Sequence, residues 1–161
     1  MTATQQFIGT LQSLKPGDLG RLRKLAGLPL DESVAGFDLF AGLWWPLREK
    51  TQRAPRREVA WLVAKLYAFC PMPQVDGMTL PVRLRRVRPD DERKAQRSQQ
   101  MFDELLMLSL GQIEPALQWA IRYVADASVG LDWVRLTDDL STWEREGTRL
   151  KWAKQYLQMA D

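Results

Sequence analysis

Histidine is missing altogether, and cysteine is nearly so, with Cys70 the only one in 161 residues. Without histidine the chain loses the commonest general base, the commonest metal ligand and the usual activator of serine or cysteine nucleophiles. A single cysteine excludes an internal disulfide and a thiolate zinc site, which fits a reducing compartment. No stretch approaches the roughly 20 uninterrupted apolar residues that a membrane helix needs. The start, Met1 to Leu14, lacks a basic region followed by an apolar run, so the protein is expected to be cytoplasmic. Strictly alternating apolar and polar residues are absent too, and so are internal repeats and low-complexity tracts.

What is present is helical periodicity in a chain that is 45% hydrophobic, enough to bury one substantial core or two small ones. The expected class is all-α, with about eight to nine helices forming two packed bundles. One bundle spans residues 1–75 and the other 76–161, with the boundary within 72–89, unless the whole is one compact unit. A first helix runs from about Thr4 to Leu14 and stops at Pro16 and Gly17. Asp18 then caps a short helix that turns Leu19, Leu22 and Leu25 inward and Arg21, Arg23 and Lys24 outward. Phe37 to Leu47 carry a dense aromatic cluster that includes Trp44 and Trp45.

Pro55 opens the best-defined helix, in which Val59, Leu62, Val63, Leu66, Tyr67 and Cys70 form one apolar stripe. Beyond it, Pro71, Pro73, Gly77, Pro81 and Pro89 punctuate a connection around a short amphipathic piece with Leu80, Val82, Leu84 and Val87. Asp90, Asp91 and Glu92 stand where a helix start favours negative charge. Three more stripes follow: Ile113 to Val124; Trp133, Leu136, Leu140 and Trp143; and Trp152, Ala153, Tyr156 and Leu157.

The net charge of +3 conceals an asymmetry, because residues 1–101 hold 17 Lys and Arg against 10 Asp and Glu, whereas 102–161 hold 6 against 10. Sixteen of the 23 cations are arginine, whose planar fork suits phosphate and stacks on rings. They gather as Arg21, Arg23 and Lys24; as Arg48, Lys50, Arg53, Arg56 and Arg57; and as Arg83, Arg85, Arg86, Arg88, Arg93, Lys94 and Arg97. A weaker group near the C-terminus includes Arg149 and Lys151. Any one cluster reads simply as a solvated helix face. Three of them separated by buried helices point to an acidic polymer, with salt-dependent binding through counterion release.

The tryptophans read mostly as core, with Trp45 and Trp61 off the cleanest stripes. The adjacent acids Asp103 and Glu104, and Asp138 and Asp139, diverge by about 100° on a helix and do not converge on a metal or a scissile bond. No catalytic residue, metal site or cofactor is expected.

Taken in order, Arg21-Leu22-Arg23-Lys24, Pro55-Arg56-Arg57, the run Gly77 to Leu84, and the ending Leu131-Asp132-Trp133, Trp143, Trp152-Ala153 and Tyr156 resemble the CasB family. CasB is the small subunit of the type I-E Cascade complex, a CRISPR RNA-guided surveillance particle. The resemblance covers nearly the whole chain and implies a non-catalytic protein present as two copies. It would bridge the backbone and large subunits. It also implies contact with CRISPR RNA and target DNA, through basic surfaces that hold the displaced strand and support the guide–target hybrid.

By position, the family's basic residues fall on Arg23, Lys24 and Arg56, and approximately on Arg83. The sequence departs from the family at Leu108 to Gln112, where Gly111 stands in place of an arginine. A helical protein-interaction scaffold without nucleic-acid contact is the alternative reading.

Overall fold

The computed structural model describes residues 2–29, 40–42, 44, 55–125 and 130–157. The chain is all-α, and among the described residues the only β feature is an isolated parallel bridge between Gln74 and Leu131. Helix α1 (Ala3–Gln12) opens with a capping box, in which Thr2 accepts from the Gln5 amide and the Gln5 side chain accepts from the Thr2 amide. Helix α2 (Pro16–Arg23) begins earlier than its Asp18 implies. Proline tolerates a first-turn position because no intrahelical donor is needed there, so Asp18 lies inside the first turn rather than at the cap.

Helix α3 (Arg57–Phe69) is the centre of the molecule: every residue from Val59 to Ala68 is buried. It packs against α2, α6 (Glu114–Ala125) and α7 (Trp133–Ser141). One stripe was expected, yet the helix is covered on all sides. Ala60, Ala64 and Ala68 are small enough to let neighbours approach on the second side. The two polar-ended side chains there are satisfied internally: Trp61 Nε1 and Lys65 Nζ both donate to Leu28 O, at 2.9 and 2.8 Å. Lys65 Nζ also meets Glu114 Oε1 at 2.7 Å, while Glu114 Oε2 accepts from the Gly27 amide at 2.8 Å.

After α3 the chain is pinned to the start of α7. Asp132 caps α7 through the Arg135 amide, accepts from Gln74 Nε2 and the Gly77 amide, and gives its own amide to Met78 O. Leu131 exchanges backbone bonds with Pro73 and Val75. A Cβ on the buried Gly130 would collide with Pro73 O, so only glycine fits this crossing.

Helix α4 (Leu80–Arg86) lies on α6 and α8 (Glu146–Leu157), and α5 (Glu92–Met107) starts with Asp91 accepting from the Lys94 amide at 3.0 Å. One apolar cluster runs from Phe7 and Ile8 through α3 to Trp152 and Tyr156. Among the described residues no helix is long and apolar enough to cross a membrane.

Candidate nucleic-acid interface

Helix α2 buries Leu22 against α3 and leaves its cations outside. Lys24 is exposed, and Arg21 only approaches Asp18, at 3.7 Å and mostly in solvent. Such a pair is worth little and leaves the guanidinium available. Arg23 is exposed but anchored, because its Nε donates to Ala68 O at 3.0 Å at the C-terminal end of α3. That bond holds the side chain in one direction while the rest of the fork faces water.

Arg56 and Arg57 stand at the opposite end of α3. With 1.5 Å of rise per residue, that is about 18 Å from the Arg23 anchor, so the two groups bracket the central helix rather than meet. Cations oppose the dipole at a helix N-terminus, so helix stability does not account for them. Arg56 has an exposed 3.4 Å contact to Glu144, and Arg57 lies 3.9 Å from its neighbour Glu58.

The third cluster divides. Arg83, expected to reach phosphate, is instead 2% exposed and gives Nη2 to Val124 O at 2.7 Å, in the last turn of α6. Burial lowers its pKa, with Arg86 adding to the effect, and its Nε has no hydrogen-bond partner among the described residues. Arg85 is half-buried and bonds Gln155 O at 2.6 Å near the end of α8. Both arginines complement helix C-termini.

Arg86 remains exposed, touching Met78 Sδ at 3.3 Å. Arg88 lies over the Tyr156 ring and bonds Gln99. Arg93, Lys94 and Arg97 are exposed on the first turns of α5. The C-terminal pair is also internal. Arg149 donates to Trp143 O and Leu108 O with its guanidinium over the Trp143 ring, and Lys151 pairs with the buried Asp139 at 2.7 Å. Arg48, Lys50, Arg53 and Trp45 lie outside the described residues.

Trp61, although off the cleanest stripe, is buried, as are Trp133, Trp143 and Trp152. Leu157, expected to face inward, is 48% exposed. The acidic pairs do not converge. Asp139 accepts from Lys151 and from Trp152 Nε1, whereas Asp138 accepts from Thr4 on α1. Among the described residues no group of three or more histidine, cysteine, aspartate or glutamate side chains could hold a metal ion. A cleft of about 350 Å³ lies beside the N-terminal half of α3, lined by Gly27, Arg57, Trp61, Lys65, Gly111 and Glu114. Gly111 is exposed there, and a Cβ on it would meet open space.

Residues 18–157 match the sequence model of a family described as CRISPR-associated protein Cse2. The fold is similar to that of CasB from M. ruber, with a TM-score of 0.77 and 22% identity over 98% of this chain and 94% of that one. It is similar as well to CasB from Thermus thermophilus, with a TM-score of 0.74 and 26% identity over 98% and 99%. A second Thermus thermophilus structure, of a CRISPR-associated protein of the Cse2 family, gives 0.76 and 25% over the same shares. No curated protein matches the chain in sequence. With nearly its whole length matched by the family and the same helical fold throughout, the chain belongs to the Cse2, or CasB, family of CRISPR-associated proteins.

Proposed function

We propose that this protein is the non-catalytic small subunit of a type I-E Cascade complex. In this reading it holds the displaced DNA strand and supports the guide–target hybrid through a basic face built around α2 and α3. The observation that carries it is the arrangement of Arg21, Arg23 and Lys24 at one end of α3 and Arg56 and Arg57 at the other. Arg21, Arg23, Lys24 and Arg56 have no buried carboxylate partner among the described residues, and Arg56 and Arg57 sit where helix stability argues against them.

Exchanging DNA pairs for RNA–DNA pairs is nearly balanced in energy. Modest phosphate contacts to the freed strand therefore decide whether the open state persists. Contacts of this kind need charge and not sequence readout. Backbone and large subunits, and a second copy of the chain, are its partners in the assembly.

The test is retention of single-stranded DNA across a salt series by the wild type and by the Arg23→Ala, Lys24→Ala, Arg56→Ala triple variant. Losing three phosphate contacts lowers the slope of log affinity against log salt by about 2. An unchanged slope in a folded variant refutes the assignment. The scaffold reading draws on a different observation, the exposure of Leu150 and Leu157 two turns apart on α8. It predicts association with partner subunits after nucleic acid has been digested away, and no retention of the single strand.

A further inference from the structure

Of the six described tryptophans, five give their indole N–H to a protein acceptor. Trp44, Trp61, Trp133 and Trp143 donate to backbone carbonyls, and Trp152 donates to Asp139. Trp119 does not. It sits half-buried on α6, off the Leu117, Ala120, Ile121 and Val124 stripe, and its indole N–H bonds to none of the described residues. Its ring lies 5.6 Å from that of the half-buried Tyr123, one turn on.

Arg122, three residues from Trp119 and so on a neighbouring position of the helix surface, places its guanidinium 5.0 Å from the ring centre of Phe69. Phe69 is the last residue of α3 and adjoins Ala68, whose carbonyl anchors Arg23. Arg122 thus joins the C-terminal end of α3, with its half-buried Phe69 ring and the Arg23 anchor, to the helix that carries the half-buried pair Trp119 and Tyr123.

We infer that Trp119, Tyr123, Arg122 and Phe69 form a stacking platform for the unpaired bases of a single-stranded nucleic acid, beside the phosphate contacts of Arg23 and Lys24. The inference rests on the phosphate-binding reading above and extends it from backbone to bases. Trp119 packs part of its surface against the core, as the other described tryptophans do, but the fold uses the indole N–H of each of those. Trp119 is partly uncovered, and none of the described residues takes its donor. A ring face with an adjacent guanidinium accepts any base, because every base has a π-face, and binding stays indifferent to sequence.

The experiment compares wild-type affinity for oligothymidylate with affinity for an abasic strand of the same length, each across a salt series. The base-bearing strand is expected to bind about tenfold more tightly, from one stacked base, with the same salt slope for both. Trp119→Ala removes that preference and leaves the slope unchanged. Trp119→Phe, which keeps a ring and disturbs packing least, retains part of it.

Equal wild-type affinity for the two strands, with a steep salt slope, overturns the platform and leaves the phosphate reading standing. A preference that survives in folded Trp119→Ala also overturns it. No salt-dependent retention of either strand, even at low salt, overturns both readings together.

Discussion

Replacing Glu114 by alanine is the sharpest structural test, because Lys65 depends on it inside the protein. The Lys65 side chain is 3% exposed and that of Glu114 13%, with 2.7 Å between Nζ and Oε1. In Glu114→Ala the ammonium keeps one carbonyl, Leu28 O, and loses its only counter-charge among the described residues. Breaking a buried pair from one side costs about 3–5 kcal/mol. Against a total stability of about 5–15 kcal/mol for a domain, that is a large fraction.

In a chain of this size each kcal/mol is worth about 2–4 °C, so Tm should fall by roughly 6–20 °C in a calorimetric or circular-dichroism melt. Lys65→Met combined with Glu114→Met removes both charges and should recover most of the loss, since an apolar pair often matches a buried ion pair. Amide exchange at Gly27 should quicken in the single variant, because that N–H loses its acceptor. A Tm drop below about 2 °C, or a double variant as unstable as the single one, refutes the claim that burial makes this pair obligatory.

Gly130→Ala should lower stability by about 3 kcal/mol, read from denaturant unfolding, because its methyl meets the Pro73 carbonyl and the connector must move. Asp138 titrates above the ordinary carboxylate value because one side of it is desolvated against the fold, with Asp139 adding to the effect and the Thr4 hydroxyl opposing it. A raised acid binds its proton more tightly when folded, so its ionised form costs stability. Wild type should therefore gain on Asp138→Asn as pH falls from neutral through the raised value, the gain being complete below 3.8. The residue is exposed, which keeps the effect small, and pH-dependent melts of the two proteins check it. Gly111→Arg adds a cation beside Arg57 without steric cost and should steepen the salt slope for single-stranded DNA by about 0.7.

The fold was legible because apolar spacing decides helices and because proline and aspartate mark their starts. The stripes of α3, α6 and α7, and the acidic start of α5 at Asp91, stand where the periodicity put them. The site was harder, because a basic residue was read by its charge and not by its register. Arg83 lies three residues after Leu80 and one before Leu84, on the buried stripe of α4. Arg149 likewise precedes Trp152 and Tyr156 by three and seven residues, on the covered side of α8.

Read by spacing, both belong inside, and only the acceptors at helix ends make that tolerable. Lys65 is the same case on α3, flanked by Leu62 and Leu66, and its partner Glu114 lies 49 residues away, beyond the reach of any local pattern. Trp119 had a signal, its place off the α6 stripe. What sequence could not supply was the end of α3 arriving under Arg122, three residues on.

The hydrogen bond from Thr4 to Asp138 joins residues 134 apart, and α1 packs on α7. A ribosome adding about 5–20 residues per second needs roughly 7–27 s to cover that interval. Throughout it, Phe7, Ile8 and Leu11 have been made but their final neighbours on α7 have not. Helix α1 thus leaves the ribosome long before its place on α7 exists, and its apolar face waits for that partner throughout the interval.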